Sequence, residues 1–95
     1  MGIELLKNQR EAILGLADRY GAERVRVFGS LARGQATSES DIDFLVAFRR
    51  GKTLLDLIGL KQDLENLLGR KVDVVSEGGV SVHLRGRIFK EAVSL

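Results

Sequence analysis

The chain has 95 residues with no cysteine and no proline, and 15 Lys or Arg against 13 Asp or Glu leave a net charge of only +2. That length supports one compact core, so a single domain over residues 1–95 is expected, and the missing cysteines remove disulfide and thiol chemistry. So slight a charge speaks against direct nucleic-acid binding, and an ordinary apolar content of 44% without a long apolar run excludes disorder and a membrane span. The N-terminus reads as a charged amphipathic segment rather than a leader, and a cytoplasmic location is expected.

From Ile3 to Tyr20 the residues Ile3, Leu6, Ile13, Leu16, Ala17 and Tyr20 recur at helical spacing, which predicts one helix closed by Gly21. Arg24 to Phe28 alternates apolar and charged residues and reads as a strand with one buried face. After Gly29-Ser30, Leu31 to Arg33 forms a short helical turn and Gly34 to Ser40 a polar loop. Asp41 to Phe48 is the second strand, ended by the basic turn Arg49-Arg50-Gly51-Lys52. Thr53 opens a helix through Leu68, with Asp56 completing a capping box and Gly69 closing it. Leu54, Leu57, Ile58, Leu64 and Leu68 make one stripe, and Leu55, Leu60 and Leu67 widen it beyond a single buried face. Such a helix is either sunk in the core or covered by a partner, a second copy included. Lys71 to Ser76 is the third strand, and Glu77-Gly78-Gly79 a turn. Val82 to Val93 is a last helix with Leu84, Ile88, Phe89 and Ala92 facing inward. The expected class is α/β (α+β): a small mixed β-sheet of three or more strands with helices packed against it.

Gly29-Ser30 and Ser40-Asp41 could each be an ordinary turn, but Asp43 inside an apolar strand is harder to dismiss. Residues i and i+2 share a strand face, so Asp41 and Asp43 point the same way and repel unless a cation lies between them. Hard oxygen donors without Cys or clustered His favour magnesium or manganese. Magnesium is commonly held by one or two carboxylates together with substrate phosphates, which points to a phosphate-bearing substrate. Gly29 permits close backbone approach, a helix starting at Ser30 or Leu31 would aim N–H groups at an anion, and the Ser30 hydroxyl adds a donor. Arg33 lies one turn further on. Asp73, alone among Val72, Val74 and Val75, either faces water at a sheet edge or joins Asp41 and Asp43. His83 reads as structural; Glu39, Arg19, Arg24 and Arg26 read as solvated. Arg85, Arg87 and Lys90 could face a triphosphate or a partner.

The string Val27-Phe28-Gly29-Ser30-Leu31-Ala32-Arg33-Gly34, followed by Ser40-Asp41-Ile42-Asp43-Phe44-Leu45-Val46, resembles the minimal branch of the DNA polymerase beta-type nucleotidyltransferase superfamily. The resemblance implies the nucleotidyltransferase fold and a catalytic and metal-binding set of Asp41, Asp43 and, from the next strand, Asp73. It places Gly29, Ser30, Arg33 and Ser40 at the nucleotide. The implied reaction is attack on the alpha-phosphorus of a nucleoside triphosphate, ATP in the first instance, with pyrophosphate expelled. Larger members of the superfamily carry further domains for the acceptor. This chain is more similar to the free-standing members paired with HEPN-domain toxins, where the nucleotidyltransferase is the antitoxin and adenylylates a toxin tyrosine. Two alternatives stay open: neutralisation of a partner by binding alone, and transfer to a small molecule or RNA with a homodimer completing the acceptor surface.

Overall fold

The computed structural model describes residues 2–95. Its elements are α1 (Glu4–Lys7), α2 (Arg10–Arg19), β1 (Ala22–Phe28), α3 (Gly29–Ala32), β2 (Ile42–Phe48), α4 (Leu54–Leu68), β3 (Val72–Ser76), a 3-10 turn (Glu77–Gly79), α5 (Val82–Glu91) and β4 (Val93–Ser94). The strands form one mixed sheet in the order β3-β2-β1-β4. β1 runs antiparallel to both β2 and β4, whereas β2 and β3 are parallel, with α4 as the crossover that a parallel pair requires.

Alternation along the strands divides the sheet into two faces. Val25, Val27, Ile42, Phe44, Val46, Val72 and Val74 are buried on one face against Ile13 and Ala17 of α2 and Leu60 and Leu64 of α4. Each of the larger side chains contributes about 1.5–3 kcal/mol by leaving water. The other face carries Arg26, Phe28, Asp43, Leu45, Asp73 and Val75 by the same alternation. Here α5 lies against β1, with the Arg26 guanidinium 4.9 Å from the centre of the Phe89 ring.

The capping chemistry of α4 matches expectation. Thr53 Oγ1 accepts from the Leu55 N–H at 3.2 Å, Asp56 Oδ2 accepts from the Thr53 N–H at 2.8 Å, and Gly69 closes the helix in the left-handed region at φ +65°.

Three expectations need correction. The single helix from Ile3 to Tyr20 is broken at Asn8 and Gln9, where Gln9 adopts φ −115° and ψ 13°; short polar side chains such as that of Asn compete for backbone hydrogen bonds and favour such breaks. The final helix stops at Glu91, and Val93 and Ser94 instead pair with Val27 and Arg26 as a fourth strand. Leu84 is half-exposed rather than packed inward, while Ile88, Phe89 and Ala92 are partly buried. The first turn of α4 is not sunk in the core, since Leu54 and Leu55 are 70% and 79% exposed. Leu57, Leu67 and Leu68 pack at the core's margin around Leu60 and Leu64. Among the described residues no helix is long and apolar enough to cross a membrane.

Candidate active site

The site begins where β1 ends. Phe28 is the register partner of Asp43, and the next residue, Gly29, turns the chain into the single-turn helix α3 at φ +74°. A Cβ at position 29 would land on Asp43 Oδ2, so glycine alone lets the backbone pass this close to the carboxylate. On the far side of β2, the parallel register sets Asp43 beside Asp73. Neighbouring strands lie about 5 Å apart, so Phe28, Asp43 and Asp73 form a row across three strands with Gly29 at its end.

Asp43 is the electrostatic centre of this row. Burial in the first place, then the negative charges of Asp73 and Asp41, push its carboxyl from 3.8 up to about 6, while Arg33 pulls the other way. Asp41 stands exposed just before β2, and Asp73 is exposed on the sheet's edge strand. Asp73 thus faces solvent at an edge and sits at the strand level of Asp43. Among the described residues no three His, Cys, Asp or Glu side chains are gathered closely enough to cage a metal unaided. Hard carboxylate oxygens around an under-compensated Asp43 nevertheless suit a divalent cation whose remaining ligands are water and phosphate.

A cleft of about 330 Å³ opens beside Asp43, with Gly29, Ser30 and Arg33 on one wall and Leu84, Arg87 and Glu91 of α5 on the other. Larger hollows of about 520 and 590 Å³, beside the Arg49–Leu54 turn and between α2 and α4, include none of Asp41, Asp43 and Asp73. A Gly-Ser turn, arginines on two walls and the Asp43 carboxylate meet at one cleft, a set of groups suited to a phosphorylated substrate.

Residues 9–95 match the family model described as a nucleotidyltransferase domain. The chain belongs to the nucleotidyltransferase family. It is 42% identical over 90% of its length to MJ0435 of Methanocaldococcus jannaschii, named provisionally as a protein adenylyltransferase, and covers 92% of that chain. It is 38% identical to the protein adenylyltransferase MntA of Thermococcus cleftensis, over 82% of this chain and 79% of the other. Among solved structures, one named provisionally as a minimal nucleotidyltransferase superposes with a TM-score of 0.88 at 55% identity, over 100% of this chain and 97% of that one. A chain from a mutant of the toxin–antitoxin complex MntA–HpeT superposes at 0.75 with 25% identity, over 90% and 70% respectively.

The structure places the remaining candidate residues of this nucleotidyltransferase as follows. Arg33 lines the cleft and is bound to Glu91 Oε1 at 2.6 Å. Ser40 does not line it; its hydroxyl accepts from the Thr37 N–H at 2.9 Å and its carbonyl accepts from Arg70 at 3.0 Å, which shapes the loop leading to Asp41. His83 is exposed in the first turn of α5 and lies outside the cleft lining. Arg24 and Arg26 both pair with Glu77, at 3.1 and 2.9 Å, and so offer no open basic patch.

Two participants escape sequence reasoning. Arg70 ties the Thr37 and Ser40 carbonyls to the start of β3, and only its place directly after the closing Gly69 hints at that. Glu91 bonds Arg33 at 2.6 Å, and the Arg33 guanidinium above all holds its carboxyl below the ordinary glutamate value. No local motif marks the role of Glu91 at the cleft, because Arg33 lies 58 residues earlier in the chain.

Proposed function

We propose that this nucleotidyltransferase transfers AMP from ATP to a tyrosine hydroxyl of a HEPN-type toxin and thereby acts as the antitoxin. In this reading magnesium or manganese is required, and residues 1–95 work as one domain in the cytoplasm. The observation that carries it is Asp43, paired in register with Asp73, lining one cleft together with Gly29, Arg33 and Arg87. The likeness to MntA, a protein adenylyltransferase by name and half of a toxin–antitoxin pair in the solved complex, supports the choice of acceptor.

Asp41, Asp43 and Asp73 would hold the divalent ions, which supply charge neutralisation for the attacking and leaving oxygens of an in-line displacement. The chain's own residues do the rest. Gly29 lets the backbone approach the phosphates, Ser30 donates its hydroxyl, and Arg33 offers a guanidinium fork suited to phosphate oxygens. Asp73, exposed at the open edge of the sheet, is available to take the proton of an incoming hydroxyl. The acceptor oxygen attacks the alpha-phosphorus, and pyrophosphate leaves on the opposite side.

The test is incubation of the chain with labelled ATP, magnesium and the product of the neighbouring gene, beside the Asp41→Ala/Asp43→Ala variant. Label on the partner with the parent chain alone is the expected result. Equal protection by both variants without label would replace the reading with neutralisation by binding, which the exposed Leu54 and Leu55 favour.

A further inference from the structure

We propose that Glu91 holds the place of a substrate phosphate in the resting molecule, and that a bound triphosphate exchanges its own oxygens for the Glu91 carboxylate at Arg33. This rests on reading the cleft as the nucleotide site. The carboxylate lies 2.6 Å from Arg33 Nη1, with Arg87 Nε at 3.8 Å. These are the donors that an anionic phosphate entering the cleft would need, and carboxylate and phosphate oxygens compete for them on like terms. With Glu91 in place the Arg33 guanidinium is held by a carboxylate, and Arg87 stands more loosely beside it, while Asp43 and its two acidic neighbours add negative charge. A triphosphate arriving at that arrangement meets an Arg33 already engaged by a carboxylate, unless Glu91 withdraws.

Withdrawal needs no refolding. Glu91 is the last residue of α5, and two residues later Val93 pairs with Val27, so the backbone is anchored and the exchange is a swing of one side chain. The Glu91 side chain is already 21% exposed and that of Arg33 38%, which opens a path to water. A purely structural staple between α5 and α3 would use the same contact, but it makes the opposite prediction for ligand affinity.

The experiment measures, on the full chain, the affinity for a non-hydrolysable ATP analogue with magnesium, and the Tm without nucleotide, for the parent, Glu91→Gln and Glu91→Ala. Exchange predicts a lower Tm without nucleotide together with a Kd about fivefold tighter, the order expected on removing one partly exposed ion pair that competes with the ligand. The ratio between variants should persist at high salt, since direct competition is screened less than a diffuse field. If the parent binds and both variants bind equally or more weakly, or if the gain vanishes at high salt, exchange is overturned while the nucleotide site stands. If none of the three binds the analogue, the reading of the cleft fails and exchange fails with it.

Discussion

Replacing Asp43 with Asn should stabilise the protein at neutral pH while abolishing nucleotidyl transfer. The native carboxyl is displaced from 3.8 to about 6, chiefly by burial and then by Asp73 and Asp41. At about 1.36 kcal/mol per pH unit that is worth at most about 3 kcal/mol. The group is partly exposed, and solvent screening reduces the figure to about 1–2 kcal/mol. The folded state holds this proton more tightly than the unfolded chain. The carboxyl therefore favours folding most below its unfolded value of 3.8, and that contribution is lost as pH rises through about 6. Asn stays neutral throughout, so the variant should match the parent in acid and exceed it at neutral pH by roughly 5–10 °C in Tm for a domain of this size. Calorimetry of both proteins across this pH range in divalent-free buffer reads the gap directly. Added magnesium should raise the parent's Tm and narrow the gap, because a bound cation compensates the charge that Asn removes. A variant no more stable than the parent at neutral pH, or a gap that widens toward acid, would refute the electrostatic account of the site.

Gly29→Ala places a methyl on the Asp43 carboxylate at a positive φ, so it should cost about 1–3 kcal/mol and eliminate transfer; a variant with normal Tm and turnover would contradict the close approach. Thr53→Ala removes one half of the α4 capping box and should lower stability by about 1 kcal/mol with transfer unchanged, which thermal melts and a turnover assay can verify. Asp73→Asn and Asp41→Asn should each lower the Asp43 pKa, Asp73→Asn by more; carboxyl NMR titration giving the reverse order would displace the strand register as the cause.

Elements whose signals are local in the chain were the ones that sequence could reveal. The α4 caps, the alternation of β1 and β2, and the Gly29-Ser30 turn each depend on neighbours a few residues away. The break at Asn8 and Gln9 was hidden because Leu6, Ile13 and Ala17 keep a common buried face on both sides of it, so the apolar period passes through undisturbed. A two-residue strand such as β4 has no period to detect, and tertiary pairing with β1 alone defines it. The leucines of the first turn of α4 look like core residues by type, but Leu54 and Leu55 lie beyond the core and stay mostly exposed. At the site, Asp41 and Asp43 announce themselves by adjacency. Asp73 depends on a parallel register across a crossover helix, and Glu91 on a salt bridge spanning 58 positions.

The seven residues of β2 interleave two unrelated demands at a pitch of one residue. Ile42, Phe44 and Val46 answer to the core, whereas Asp43, one peptide away from two of them, answers to the substrate side. A saturation scan of this heptapeptide should thus lose folding at Ile42, Phe44, Leu45 and Val46, which are all fully buried, and leave a well-folded but inert protein at 43. Activity and robustness can then drift separately even though their determinants are sequence neighbours, because the pleat keeps them on opposite surfaces of the same sheet.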